Sequence, residues 1–104
     1  MPNIVQINSI EDHNQFIKDN RRCIVFYGAS WCKPCSEMKV LYGRIADRYA
    51  RRLPMAFVDI DKITIHVNSI PTFISYRKGT KYESFEGANK EKLKDLVGNI
   101  LTAK

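Results

Sequence analysis

The stretch Cys23-Ile24-Val25-Phe26-Tyr27-Gly28-Ala29-Ser30-Trp31-Cys32-Lys33-Pro34-Cys35 decides how this chain folds. Its first five residues are an unbroken apolar or β-favouring run stopped by a glycine. That pattern predicts a central strand buried on both faces. From Pro34 to about Arg51 the apolar positions are Met38, Leu41, Tyr42, Ile45 and Tyr49. Intervals of three and four predict an amphipathic helix. A buried strand therefore feeds a long helix, with two cysteines at the junction.

Toward the N-terminus, Ile4, Val5 and Ile7 predict a short strand. Ser9 followed by Asp12 resembles a capping box, so a helix should run through Phe16 and Ile17 and end near Asn20. Toward the C-terminus, Met55-Ala56-Phe57-Val58 reads as a second buried strand, ending in Asp59-Ile60-Asp61. Beyond Pro71, Thr72–Arg77 and Tyr82–Phe85 flank Lys78-Gly79-Thr80, which predicts a β-hairpin. Asn89 can cap a final helix with Leu93, Leu96, Val97 and Ile100 facing inward. The fold class is α/β, a central mixed sheet flanked by helices on both faces, with an antiparallel hairpin at one edge. The segment Lys62–Ser69 should hold at most about one helical turn, because a parallel crossover takes a dozen or more residues. Thr64, Ile65 and Val67 are also poor helix formers.

A chain of 104 residues is expected to form one domain over 1–104. Its 44% hydrophobic and 27% charged residues are those of an ordinary globular protein. The stretch Met1-Pro2-Asn3-Ile4-Val5-Gln6 has neither a basic region nor an apolar core, so no targeting signal is read there. No apolar run approaches membrane-spanning length. A cytoplasmic location is therefore expected. It also suits three cysteines, since a secreted disulfide framework would want an even number. The net charge of +6 could attract nucleic acid. The basic residues are scattered, however, as Arg21-Arg22, Arg51-Arg52, Arg77-Lys78, Lys90, Lys92 and Lys94. None forms the dense run that marks a nucleic-acid tail, so a solubilising surface is the reading adopted.

The chemistry is concentrated in Trp31-Cys32-Lys33-Pro34-Cys35. Thiol–disulfide exchange needs a thiolate, and an ordinary cysteine is mostly protonated at neutral pH. A helix N-terminus offers free N–H donors and a partial positive charge, which favour the thiolate of a cysteine placed there. Cys32 sits at that end. Cys35, three residues on, is close enough on the helix surface to close a disulfide with it. Pro34, near the first helical position, presets the backbone without losing a needed hydrogen bond.

Over nearly its whole length the chain resembles the thioredoxin family. Four ordered blocks carry the resemblance: Val25–Cys35, Phe57–Asp61, Ser69-Ile70-Pro71-Thr72-Phe73, and Phe85-Glu86-Gly87-Ala88-Asn89-Lys90-Glu91-Lys92-Leu93. The resemblance implies a protein disulfide reductase in which Cys32 is the exposed attacking nucleophile and Cys35 the buried resolving thiol. It implies that Trp31, Lys33 and Pro34 flank the substrate. By the same resemblance Pro71 is a cis-proline beside the disulfide, and Ile70 offers backbone to an extended substrate. Gly87 and Ala88 then complete the docking surface. It further implies a monomer with no bound cofactor, disulfide-containing protein substrates, and re-reduction by a flavin- and NADPH-dependent thioredoxin reductase.

Three rival readings compete with this one. Cys23, Cys32 and Cys35 with His13 or His66 could supply four zinc ligands on paper, but Cys23 falls inside an apolar strand, where a cysteine is ordinarily a small hydrophobe. A thiol oxidase or isomerase would share the fold; Pro before the second cysteine and the lack of an export signal favour the reductase. A binding subunit with incidental redox activity is countered by the intact cysteine pair. His13 and His66 are expected at surface or semi-buried positions, and Tyr42 and Tyr49 in the core. The chain departs from the family pattern in Lys33 for the usual Gly, Phe26 for a buried Asp, Phe57 for a Lys, Val40 for a kinking Pro, and a shortened 62–69 segment.

Overall fold

The run Cys23–Tyr27 forms the middle of the sheet. The computed structural model describes residues 3–104. Met1 and Pro2, the first residues of the stretch read for a targeting signal, lie outside them. In chain order the elements are β1 (Ile4–Ile7), α1 (Ile10–Asp19), β2 (Arg22–Gly28), α2 (Lys33–Tyr49), β3 (Met55–Asp59), β4 (Thr72–Arg77), β5 (Thr80–Glu86) and α3 (Lys90–Leu101). The five strands lie in the order β1-β3-β2-β4-β5. β3 runs parallel to both β1 and β2, whereas β4 is antiparallel to β2 and β5 antiparallel to β4.

Because side chains alternate along a strand, β2 serves two cores at once. Ile24 and Phe26 join Met38, Tyr42 and Ala46 of α2 and Leu93, Leu96, Val97 and Ile100 of α3 on one face. Val25 and Tyr27 join Ile17 of α1 on the other. The local signals operate as expected. The Ser9 hydroxyl accepts the Asp12 N–H at 3.0 Å to open α1, and the Asn89 side chain accepts the Lys92 N–H at 2.9 Å to open α3. On the buried side of α2, the Tyr42 hydroxyl donates to the carbonyls of Ala56 (2.7 Å) and Ile24 (3.2 Å), binding the helix to β3 and β2.

Three expectations are corrected. Thr80 belongs to β5, not to the turn: Lys78 and Gly79 alone make it, at φ 53° and 81°, and Arg77 pairs with Thr80. A two-residue turn with both φ positive matches the twist of the flanking strands. Residues 62–69 form no helix, as expected, but the crossover argument for it does not hold. β4 runs antiparallel to β2 and hence to β3, so the connection is not a parallel crossover. It is instead extended, with Ile63, Ile65 and Val67 turned toward the α1 face of the sheet and Thr64, His66 and Asn68 exposed. Finally, His13 is buried rather than semi-buried: its Nε2 lies 2.6 Å from the Tyr27 hydroxyl, which is 2.7 Å from that of Tyr76.

Candidate active site

β2 ends at Gly28, and the chain turns through Ala29, Ser30 and Trp31 to place Cys32 as the N-cap of α2. Cys32 and Cys35 are joined as a disulfide with their Cα atoms 5.2 Å apart, within the span such a bridge requires. The Cys32 sulfur also accepts the backbone N–H of Cys35 at 3.2 Å. The sulfur thus occupies the position a capping oxygen takes elsewhere, facing the unpaired donors of the first turn. Pro34 stands in that first turn and removes no needed hydrogen bond.

The expected contrast between an exposed Cys32 and a buried Cys35 is corrected. In the disulfide state they are 5% and 2% exposed. Position rather than exposure distinguishes them: Cys32 is the N-cap, outside the first turn, and Cys35 lies within it. Trp31, by contrast, is 67% exposed. Its indole N–H donates to Asp61 Oδ2 at 2.6 Å, and the Asp61 N–H in turn donates to Asp59 Oδ1 at 2.9 Å. Lys33 and Pro34 are exposed beside it.

The β2–β4 register brings the distant half of the site here. Tyr27 pairs with Thr72, so one step further places Pro71 across from Gly28. The Ile70–Pro71 peptide bond is cis. Gly87, at φ 98°, donates its N–H to the Pro71 carbonyl at 2.8 Å, a conformation glycine adopts without a Cβ penalty. Ile70 is half-buried and Ala88 exposed. The residues singled out in the sequence therefore flank one another across the C-terminal end of β2.

Behind the disulfide the walls are apolar. A Cβ built on Gly28 would stand 3.1 Å from Cys35 Sγ, from the Phe26 ring and from the Phe57 ring alike. Phe26 lies edge-on to Tyr42 and Phe57, with centroids 5.1 and 5.0 Å apart. Gly28 and Asp61 were not singled out in the sequence as site residues. Their roles arise from close approach and from strand pairing, which a linear pattern does not encode.

Cys23 lies in β2, on the face that carries Val25 and Tyr27, and burial pushes its thiol up to about 12. Gly28, which meets Cys35, belongs to the opposite face. His66 is exposed on the 62–69 segment. Among the described residues no three His, Cys, Asp or Glu side chains stand close enough to hold a metal ion, and no helix is long and apolar enough to cross a membrane.

The chain is similar to known proteins in sequence and in fold. The family model described as Thioredoxin matches residues 4–99. Thioredoxin-3 of Dictyostelium discoideum is 29% identical over 106 residues, covering 96% of this chain and all of that protein. Thioredoxin of Rattus norvegicus is 35% identical over 81 residues, covering 71% of this chain and 74% of its own. The structure of Plasmodium falciparum thioredoxin superposes with a TM-score of 0.87 at 27% identity, covering 92% of this chain and 98% of that one.

Proposed function

The chain belongs to the thioredoxin family and is a thiol–disulfide oxidoreductase that reduces substrate disulfides, and from that premise we propose how its residues divide the work. Cys32 attacks and Cys35 resolves. The Cys32 thiolate, favoured by the N–H donors of the first turn of α2, attacks one sulfur of a substrate disulfide and expels the other as a thiolate. Cys35 then loses its proton and attacks the Cys32 sulfur, closing the intramolecular disulfide and releasing the second substrate sulfur. Two electrons pass from the dithiol to the substrate. The observation that carries this reading is the capping of α2 by the Cys32 sulfur, with its bond to the Cys35 N–H.

Trp31, Lys33, Pro34, Ile70, Pro71, Gly87 and Ala88 form the substrate-docking surface in this reading. An extended segment of a disulfide-containing protein would lie across Ile70 and use its backbone groups. The oxidised pair returns to the dithiol through a flavin- and NADPH-dependent thioredoxin reductase, which gives the protein a place in electron transport. The reading takes residues 1–104 as one domain, working as a monomer in a reducing cytoplasm without a bound cofactor.

Trapping tests the assignment. Cys35→Ser mixed with a disulfide-bearing protein should accumulate a mixed disulfide through Cys32, whereas Cys32→Ser should neither trap nor turn over. Full turnover by Cys35→Ser, or a stable adduct on Cys32→Ser, would overturn the assignment.

A further inference from the structure

The dibasic pairs that lie far apart in the sequence meet at one end of the sheet. Arg22 opens β2 and Arg77 closes β4, and the antiparallel register sets them directly opposite each other. Arg21 and Lys78 lie just beyond, joined by the Lys78 N–H donating to the Arg21 carbonyl at 2.8 Å. β3 runs parallel to β2 on its other side, and the Ile24 N–H donates to the Pro54 carbonyl at 3.1 Å. The turn that carries Arg51 and Arg52 into Pro54 therefore lies at this same end. The three pairs follow three neighbouring strands, which stand about 5 Å apart.

Like charges directly opposite in an antiparallel pair repel, and no carboxylate offsets these. Among the described residues the single ion pair is Lys94–Glu91, on α3. Asp19 and Asp47, which precede two of the pairs in the chain, accept instead from the side-chain amides of Gln15 and Asn3. Also among the described residues, the buried side-chain polar atoms without a hydrogen-bond partner are the Nε atoms of Arg22 and Arg77. Arg22 gives one outer nitrogen to the Ala103 carbonyl, which uses one of its five donors. Each guanidinium is thus partly desolvated and lacks a counter-charge. Arg21, Arg51, Arg52 and Lys78 around them are exposed.

We propose that this end of the sheet docks the phosphate backbone of a nucleic-acid duplex. Arg22 and Arg77 share one phosphate, and the exposed side chains hold its neighbours. All but Lys78 are arginines, whose planar fork matches phosphate oxygens as an ammonium cannot. The charges cross three strands in a line, as phosphates follow one strand of a duplex. The large apolar side chains exposed on the protein, Val5, Ile10, Trp31, Val40 and Tyr82, lie outside all three pairs. None of the pairs therefore carries a group to enter a bilayer or stack on an unpaired base, and the contact is one of backbone without sequence preference. β2 is seven residues long, so the disulfide stands about 20 Å away, beyond its other end. A docked duplex leaves it open to substrate.

Fluorescence anisotropy of a short labelled DNA duplex of mixed sequence, titrated with the protein, tests this. Between about 50 and 200 mM salt the association constant should fall about 10²- to 10³-fold, the loss expected for about four to six phosphate contacts. Arg51→Gln/Arg52→Gln should lower the slope of log K against log salt by about two, and Arg77→Gln by about one. Arg51 and Arg52 are exposed, so their variant carries the test if Arg77→Gln does not fold. Lys90→Gln/Lys92→Gln removes the same charge from the opposite end, at the start of α3, and should leave the slope unchanged. Absence of binding at about 50 mM salt overturns the proposal. So does a slope that Arg51→Gln/Arg52→Gln leaves unmoved, or an equal loss of slope in both double variants. Vesicles of phosphatidylserine and phosphatidylcholine form the competing arm. Their capture of the protein at a salt concentration where the duplex stays free would overturn the proposal in favour of a membrane.

Discussion

Gly28 and Cys35 approach so closely that no side chain fits between them: a Cβ on the glycine would sit 3.1 Å from the sulfur. Two aromatic rings stand at the same distance, so the new methyl has nowhere to go without moving a wall of the active site. Gly28→Ala should therefore destabilise the protein by about 1–2 kcal/mol, the scale of overpacking in a close-packed core. The midpoint of urea unfolding checks this. An unchanged or raised midpoint would mean that the Phe57 ring yields freely.

Phe26 is fully buried among Tyr42, Phe57 and Phe73. Phe26→Asp removes that aromatic packing and buries a carboxyl, at a combined cost of about 3 kcal/mol or more. Burial would hold the new carboxyl protonated, raising its folded pKa above its unfolded value near 4. The folded state then binds the extra proton, so the variant should lose further stability as pH rises from about 4 toward neutrality. Denaturant melts at two pH values test both size and sign.

Burial raises the Cys23 thiol to about 12, above its unfolded value. Its contribution is therefore fully present below the unfolded pKa and is lost as pH rises toward 12. Burial also raises Tyr27, Tyr42 and Tyr76 above their ordinary value, and they add the same sign at higher pH. Stability should fall on the alkaline side, and Cys23→Val should flatten the part of that fall which begins near pH 9. Urea midpoints from neutral to alkaline pH give the curves to compare. The reduced native protein should show two titratable thiols, with Cys23 appearing only on unfolding.

Tyr42→Phe should cost about 1–2 kcal/mol, since the lost hydroxyl donates to the buried Ala56 and Ile24 carbonyls. Turnover should be unaffected, because the hydroxyl lies on the sheet and not at the disulfide. A stability loss below about half a kcal/mol would show that ladder partners already satisfy those carbonyls.

The parts legible in the sequence are those set by local physics. The Cys23–Tyr27 run and the spacing of Met38, Leu41, Tyr42, Ile45 and Tyr49 depend on neighbours a few residues away, and the observed β2 and α2 match them to within two residues. The placement of Thr80 was not legible, because the turn depends on Lys78 adopting a positive φ that its side chain does not favour. His13 could not be assigned to the interior from its own surroundings. Its partner Tyr27 lies fourteen residues on, and only the docking of α1 on the sheet unites them. Within the site, the cysteine pair was visible at once. Asp61 and Gly28 were not, since each acts through a neighbour supplied by another element: the Trp31 indole and the Cys35 sulfur.

The exposed indole on Asp61 has an optical consequence. Trp31 is the chain's single tryptophan, so the protein carries one such fluorophore, and it stands next to the disulfide. In most folded domains tryptophan emission reports on the core. Here it is a spot measurement of the reacting surface. Its intensity will follow the redox state of the neighbouring sulfurs, the integrity of the Asp61 contact and the shielding given by a docked partner. A thermal transition followed by emission and one followed by backbone circular dichroism therefore observe different regions. If the turn from Gly28 to Cys35 loosens before the sheet does, the two curves will separate.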